Sequence, residues 1–157
     1  MKGSFLVIIV TSFILSGCAN SLLHTIDNSN KSFEEIFSPY RYVEIEKENT
    51  YTKFELEPAG VPHQTIALAS ELLLIDIFKS FKEKCGFEKE DIIGIRKVSY
   101  EPPQYYEVWV FKDKLSKRED KSSAISLVLK QYPNGDGVDI SLFGQCHSVP
   151  KQITFAN

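Results

Sequence analysis

The chain has 157 residues, 43% of them hydrophobic, with 18 Lys and Arg against 21 Asp and Glu for a formal charge of −3, which suits one domain able to bury its own core. Charges of both signs are interspersed without a basic stripe, which argues against nucleic acid as a partner. No nucleophile elbow, phosphate-cradling glycine loop, zinc helix or paired metal motif occurs, so no catalytic residue, metal ligand or cofactor is singled out.

The N-terminus opens with Met1 and Lys2, followed by an almost wholly apolar run from Ser4 to Ile14 that the polar Asn20 and Ser21 soon cut off. A bilayer span needs about 20 apolar residues, so this run has the length of an export-signal core and not of a span. It ends on Leu15-Ser16-Gly17-Cys18, which resembles the lipobox of bacterial lipoproteins, where a small-residue pair precedes a cysteine that is acylated and becomes the mature N-terminus. The resemblance is confined to these first 18 residues. It implies a signal peptide over 1–17, lipid on Cys18, and permanent attachment to the membrane, since each buried methylene contributes about 0.8 kcal/mol. In the sorting rule of enteric lipoproteins an Asp after the cysteine favours the inner membrane; Ala19 and Asn20 stand here, which implies the outer membrane, facing the periplasm. The residues alone leave open a plain signal peptide with Cys18 incidental, or an uncleaved anchor.

Residues 18–38 read as the lipidated N-terminus and a tether, and 39–157 as a single α+β periplasmic domain. Ala19 to Asn30 is polar and turn-rich, and is expected to be flexible. Ser32 stands three before Glu35, a capping-box spacing, and Phe33, Ile36 and Phe37 give one short helical turn before Pro39. Tyr42 to Glu46 and Thr52 to Glu57 alternate as a hairpin, with Val43, Ile45, Phe54 and Leu56 expected inside.

After Pro58-Ala59-Gly60-Val61-Pro62, the spacing predicts one long helix over Thr65 to Cys85. Ile66, Ala67, Leu74, Ile77, Phe78, Phe81 and Cys85 share its core-facing arc, and Gly86 sits where a left-handed cap belongs. Leu68, Leu72 and Ile75 form a second apolar stripe on the otherwise polar side. Either the tether, the short turn or a loop covers that stripe, or it is a contact surface for a partner or a second copy.

Four strands follow, roughly Ile92 to Tyr100, Gln104 to Lys112, Ala124 to Tyr132 and Gly137 to Gln145, paired as two hairpins. The expected architecture is an antiparallel sheet of about six strands, in the order ββαββββ, packed against one long helix. On the second of these strands Tyr105, Trp109 and Phe111 lie on one parity and Tyr106, Val108 and Val110 on the other, with only Glu107 interrupting. That pattern fits a central strand buried on both sides, or an aromatic platform for a partner, with Tyr100 and Tyr132 as neighbours. Asp113 to Ser123 is a charged loop, expected to be solvated and mobile. Ser148 to Asn157 carries Ile153 and Phe155 and suits either a short edge strand or a frayed end.

With Cys18 assigned to lipid, Cys85 and Cys146 remain as a pair in a compartment that oxidises thiols. Cys85 lies on the helix's core arc, and Cys146 shares parity with Val138, Ile140 and Leu142, so two periodicities aim the sulfurs at one interior and a disulfide is expected. His147 beside Cys146 allows a metal or redox site, but neighbouring residues on a strand face opposite ways and no further ligands complete a set. His24, His63 and His147 read as surface or capping residues.

These features describe a non-enzymatic, lipid-anchored envelope protein that binds a protein partner through Leu68, Leu72 and Ile75 or through Tyr105, Trp109 and Phe111. The alternative is an inhibitor or immunity-type lipoprotein that blocks a periplasmic hydrolase or toxin through the Asp113 to Ser123 loop or the Pro133 to Gly137 turn. An enzyme whose site is assembled from scattered residues is a third reading; a pocket holding His63 or His147 beside a carboxylate would favour it.

Overall fold

A computed structural model describes residues 17–149 and 151–156, with side chains from residue 23 onward. Most of the signal segment, with Leu15 and Ser16 of the lipobox, lies outside the described residues, and Gly17 and Cys18 are described by their backbone alone. In chain order the elements are α1 (Gly17–Glu35), β1 (Tyr40–Lys47), β2 (Tyr51–Pro58), β3 (Val61–Pro62), α2 (Glu71–Cys85), β4 (Ile92–Glu101), β5 (Gln104–Lys112), β6 (Ser122–Gln131), β7 (Val138–Phe143) and β8 (Gln152–Ala156). The fold is α+β, but its strands form two antiparallel sheets and not one. The small sheet has the order β1-β2-β8 and the large sheet β3-β4-β5-β6-β7.

The division follows from what happens at each edge of β2. Beyond Pro58 the chain crosses to the large sheet, where Val61 and Pro62 pair with Lys97 and Arg96 of β4. Gly60 makes that crossing at φ +82°, and a Cβ there would lie 2.3 Å from the Lys97 carbonyl oxygen, so a side chain has no room. On its other edge β2 is met by the C-terminal strand β8, with Phe54 opposite Ile153 and Thr52 opposite Phe155.

The apolar face of the small sheet is covered by α1, which buries Ile26 against Tyr42 and Phe54, with Phe33, Leu56, Ile153 and Phe155 around them. The expected flexible tether over Ala19 to Asn30 is therefore helix, and Ser32 and Glu35 belong to its last turn instead of starting a new one. Asn and Ser are indifferent helix formers, so packing of one side holds α1 together. Asn30 fixes its rotation: Nδ2 donates to the Tyr42 carbonyl at 3.0 Å and Oδ1 accepts the Tyr42 N–H at 2.7 Å. With Tyr42 turned inward, Val43 and Ile45 point outward and are exposed, contrary to expectation. A register shift between Glu44 and Glu46 marks the adjustment. Among the described residues, no helix is long and apolar enough to cross a membrane.

The large sheet is a middle layer. Tyr106, Val108, Ala124 and Val128 on one face pack with Phe37 and Tyr40 at the root of the small sheet and with Phe143 of β7. Trp109, Phe111, Ile125, Leu127 and Leu129 on the other face lie under α2. The arc predicted for the helix, from Ile66 to Cys85, joins this second core. The helix itself is shorter than expected. Thr65 caps a 3-10 turn over Ile66–Ala69, and Ser70, in extended conformation, opens α2 by accepting the Leu73 N–H at 3.3 Å. Two successive side-chain caps satisfy the local N–H groups and so replace one continuous helix. Gly86 closes α2 in the left-handed conformation, donating to the Lys82 carbonyl at 2.8 Å.

The β5–β6 loop, expected to be solvated and mobile, ties the two sheets together. Arg118, its side chain 7% exposed, donates to the Leu56 carbonyl at 2.6 Å, to Glu57 Oε1 at 3.1 Å and to Asp120 Oδ1 at 3.3 Å. The Tyr40 hydroxyl accepts the Ala124 N–H at 2.9 Å and also bonds the Ser148 hydroxyl. Tyr106 donates to the Ser38 carbonyl at 2.6 Å. Lys117, Glu119, Asp120 and Lys121 of the charged run are exposed, as expected, but Arg118 among them is a buried connector, because its guanidinium finds a carboxylate and a carbonyl on the neighbouring sheet.

Cys85 and Cys146 form a disulfide with Cα atoms 5.1 Å apart. It joins the end of α2 to the segment after β7, whose Val138, Ile140 and Leu142 face the same core. The bridge closes a loop with a sequence separation of 61 residues. Replacing both cysteines by Ser is expected to cost about 4 kcal/mol on the chain-entropy model, read as a lowered urea midpoint; an unchanged midpoint would show that the packing of α2 makes the bridge redundant.

Candidate functional site

The expected candidate residues are divided by the sheet. Trp109 and Phe111 are each 1% exposed, and Tyr105 packs against the same core. Phe78 and Phe81 of α2 lie over Trp109, with ring centroids 6.1 and 5.2 Å away. The aromatic platform is thus corrected: α2 covers that face, and β5 is a central strand buried on both sides. Leu68, Leu72 and Ile75, by contrast, are 59%, 76% and 54% exposed. Leu68 belongs to the 3-10 turn and the other two to α2, and none of the three is covered by α1, the Phe33 to Phe37 segment or a loop.

A buried residue fixes the start of the segment that leads into this surface. Glu107, in the middle of β5, is fully buried, and among the described residues no cation pairs with it. Its Oε1 accepts the Ile66 N–H at 2.8 Å and the Tyr100 hydroxyl at 2.5 Å. Its Oε2 accepts the Thr65 hydroxyl and the Trp109 indole N–H, each at 2.8 Å. Two donors per oxygen fill the acceptor sites of a carboxylate. Burial and the hydrogen bond to Glu107 push the Tyr100 hydroxyl pKa well up, so it remains a donor. Thr65 relays the interaction, since its hydroxyl oxygen in turn accepts the Ala67 N–H at 3.1 Å. The carboxylate thereby fixes the start of the segment that carries Leu68 and leads into Leu72 and Ile75.

A second constellation lies near the disulfide. An open pocket of about 480 Å³ is lined by Cys85, Phe87, Lys112, Asp113, Leu115 and His147, among others. Asp113 is buried and receives the Ser123 hydroxyl at 2.6 Å and the Leu115 N–H at 2.9 Å, while His147 Nδ1 approaches it at 3.0 Å. The pocket thus places His147 beside a carboxylate, the arrangement named above for the enzyme reading; Ser123 bonds that carboxylate and not the imidazole, so the pair does not activate Ser123. The arrangement anchors the turn that follows Cys146: the Ser148 N–H donates to Ser123 Oγ at 2.8 Å. His63 is exposed and meets the Tyr100 ring edge-on at 5.6 Å, and His24 is exposed on α1 beside Asn28. Among the described residues, no three His, Cys, Asp or Glu side chains converge to hold a metal.

Glu107 and Arg118 have no place among the sequence-level candidates, and for His147 the carboxylate beside it, Asp113, is identified only by the structure. For Glu107 a signal exists, a lone carboxylate amid strand residues apolar on both parities. For Arg118 there is none, because a buried guanidinium in a run of five charged residues looks like its neighbours. Asp113 and His147 are 34 residues apart and are joined only by the folding of β5, β6 and β7.

No family model matches the chain, and neither a curated protein nor a solved structure is similar to it.

For Asp113, burial acts to raise the pKa, but the hydrogen bonds from Ser123, His147 and the Leu115 N–H outweigh it and hold the carboxyl below the usual carboxylate range. A depressed folded-state pKa contributes stability that is present above the unfolded value and lost as pH falls through the folded one. Urea denaturation between about pH 7 and about pH 2 is therefore expected to show a shallower acid-side loss in Asp113→Asn than in the native chain, whose carboxyl titrates in that window. Parallel curves would show that Asp113 does not couple folding to protons.

Proposed function

We propose that this chain is a lipid-anchored protein of the bacterial envelope that binds a protein partner through the exposed face formed by Leu68, Leu72 and Ile75. The address rests on the lipobox-like Leu15-Ser16-Gly17-Cys18, with the acylated Cys18 holding the protein at the periplasmic face of the outer membrane. The contact rests on one observation: three large apolar side chains stand in solvent on a segment whose backbone is capped at Thr65, Ser70 and Gly86. Apolar surface of this kind gains free energy when covered, about 25 cal/mol per Å² removed from water. A pre-ordered backbone lowers the entropic cost of covering it. The buried side of the same helix supplies the core through Ile77 and Phe81, and Leu68, Leu72 and Ile75 take no part in that core.

The inhibitor reading keeps one observation in its favour. Leu115 is 69% exposed at the tip of a loop that Asp113, Ser116 and Arg118 lock in place, and rigid loops with one projecting apolar residue suit insertion into a partner's cleft.

Leu72→Asp is expected to leave stability within about 0.5 kcal/mol, as surface changes do, and to remove partners captured by crosslinking in the envelope, while Leu115→Asp leaves them in place. Loss of capture only with Leu115→Asp would favour the inhibitor reading. A fall in stability with Leu72→Asp and an unchanged capture pattern would show that the stripe serves the fold.

A further inference from the structure

We infer that α1 is a rigid spacer that fixes the height and orientation of the domain above its membrane, placing the β1–β2 hairpin toward the bilayer and the Leu68, Leu72, Ile75 face away from it. The inference rests on the lipid-anchored reading above and adds the geometry of presentation. A tether of polar residues after a lipid anchor is expected to be loose; over residues 18–38 a flexible chain would range across about 25 Å. Here α1 begins at Gly17 and continues without a break to Glu35. Among the described side chains of α1 the first that is buried, Ile26, follows Cys18 by eight residues, which is about 12 Å of helix.

The direction is set by the connection between α1 and β1. Only residues 36–39 join them, so helix and strand run antiparallel. Their lengths match: 19 helical residues span about 28 Å and eight strand residues about 26 Å. The start of α1 thus lies level with the far end of β1, at the Glu48-Asn49-Thr50 turn. The Asn30–Tyr42 pair of hydrogen bonds and the Phe33–Tyr42 ring contact at 5.6 Å prevent the helix from swivelling on the sheet.

At the other end of the small sheet, Ser38, Tyr40, Glu57 and Ala59 meet the large sheet. That root is about 26 Å, the length of β2, from the hairpin turn. The large sheet receives the root on its Tyr106 and Val108 face and α2 on its Trp109 and Phe111 face. Leu72 and Ile75 project from the side of α2 that does not touch the sheet. Sheet, helix and stripe therefore follow one another beyond the root, with the stripe on the opposite side of the large sheet from α1 and the hairpin.

The full-length protein, extracted with its anchor and reconstituted in phosphatidylethanolamine and phosphatidylglycerol vesicles bearing a headgroup quencher, tests this. Fluorophores are placed singly on Asn49→Cys and Leu72→Cys with the Cys85–Cys146 bridge intact. The label at 49 is expected to be quenched severalfold more than the label at 72, and a Gly-Ser-Gly-Ser insertion between Leu23 and His24 is expected to erase the difference. Equal quenching in the uninterrupted chain, or stronger quenching at 72, would overturn the inference. Amide exchange over residues 19–30 in the same samples reads the helix directly: protection supports a spacer, and coil-like exchange overturns it whether or not lipid is found. The mass of the N-terminal peptide tests the anchor separately, and absence of acyl mass overturns the lipid reading and with it the membrane geometry, while leaving the exchange result to stand on its own.

Discussion

A buried carboxylate, paired with no cation among the described residues, lies in the core of the large sheet, and the entry to α2 depends on that one group. Leaving a charge unpaired in an apolar interior costs several kcal/mol. Glu107 meets that cost with four neutral donors drawn from three places: Tyr100 on β4, Trp109 on its own strand, and Thr65 with Ile66 at the entry to α2. A hydrophobic residue at this position would pack as well but would specify nothing about where the 65–70 segment sits. The carboxylate converts an entropically free approach to a helix into a fixed one, and the side chains that follow inherit its orientation.

The same economy appears at the junction of the two sheets, where Arg118 and Tyr40 take the part that Glu107 takes within the core. Each is a polar group inside the molecule whose partners are backbone atoms or side chains of another element. The small sheet with α1 and the large sheet with α2 keep separate apolar clusters. Directional bonds at their contact set the angle between them more sharply than apolar packing alone would. Stiffness in this chain is thus assigned by polar contacts, and the apolar stripe on α2 is a surface held still by them.

Much of the large sheet was legible from periodicity, because strands β4 to β7 are bounded by strong turn signals and α2 by Gly86, and because the parity of Val138, Ile140 and Leu142 points Cys146 at Cys85. The small sheet was legible as a hairpin but not in its facing. Val43 and Ile45 look like an inner pair until Tyr42 is known to lie under α1, and no local rule says that a polar, Asn-rich stretch will be a docked helix. The position of β8 beside β2 is a contact between residues about 100 apart, which no window of sequence can contain. At the candidate site the stripe was readable and its exposure was not, since exposure depends on where α1 and the loops go. Trp109 and Phe111 carried the opposite ambiguity, and α2 resolved it by covering them.

Native-state hydrogen exchange on Glu107→Gln measures most directly whether Glu107 positions the segment that bears the stripe. An amide cannot accept four hydrogen bonds, and its NH₂ would face donors. The expected result is a loss of about 1–3 kcal/mol concentrated in the amides from Ile66 to Leu73, with β5 and β6 still protected. Unchanged protection at Ile66, or a loss spread evenly over the large sheet, would contradict the role assigned to the carboxylate.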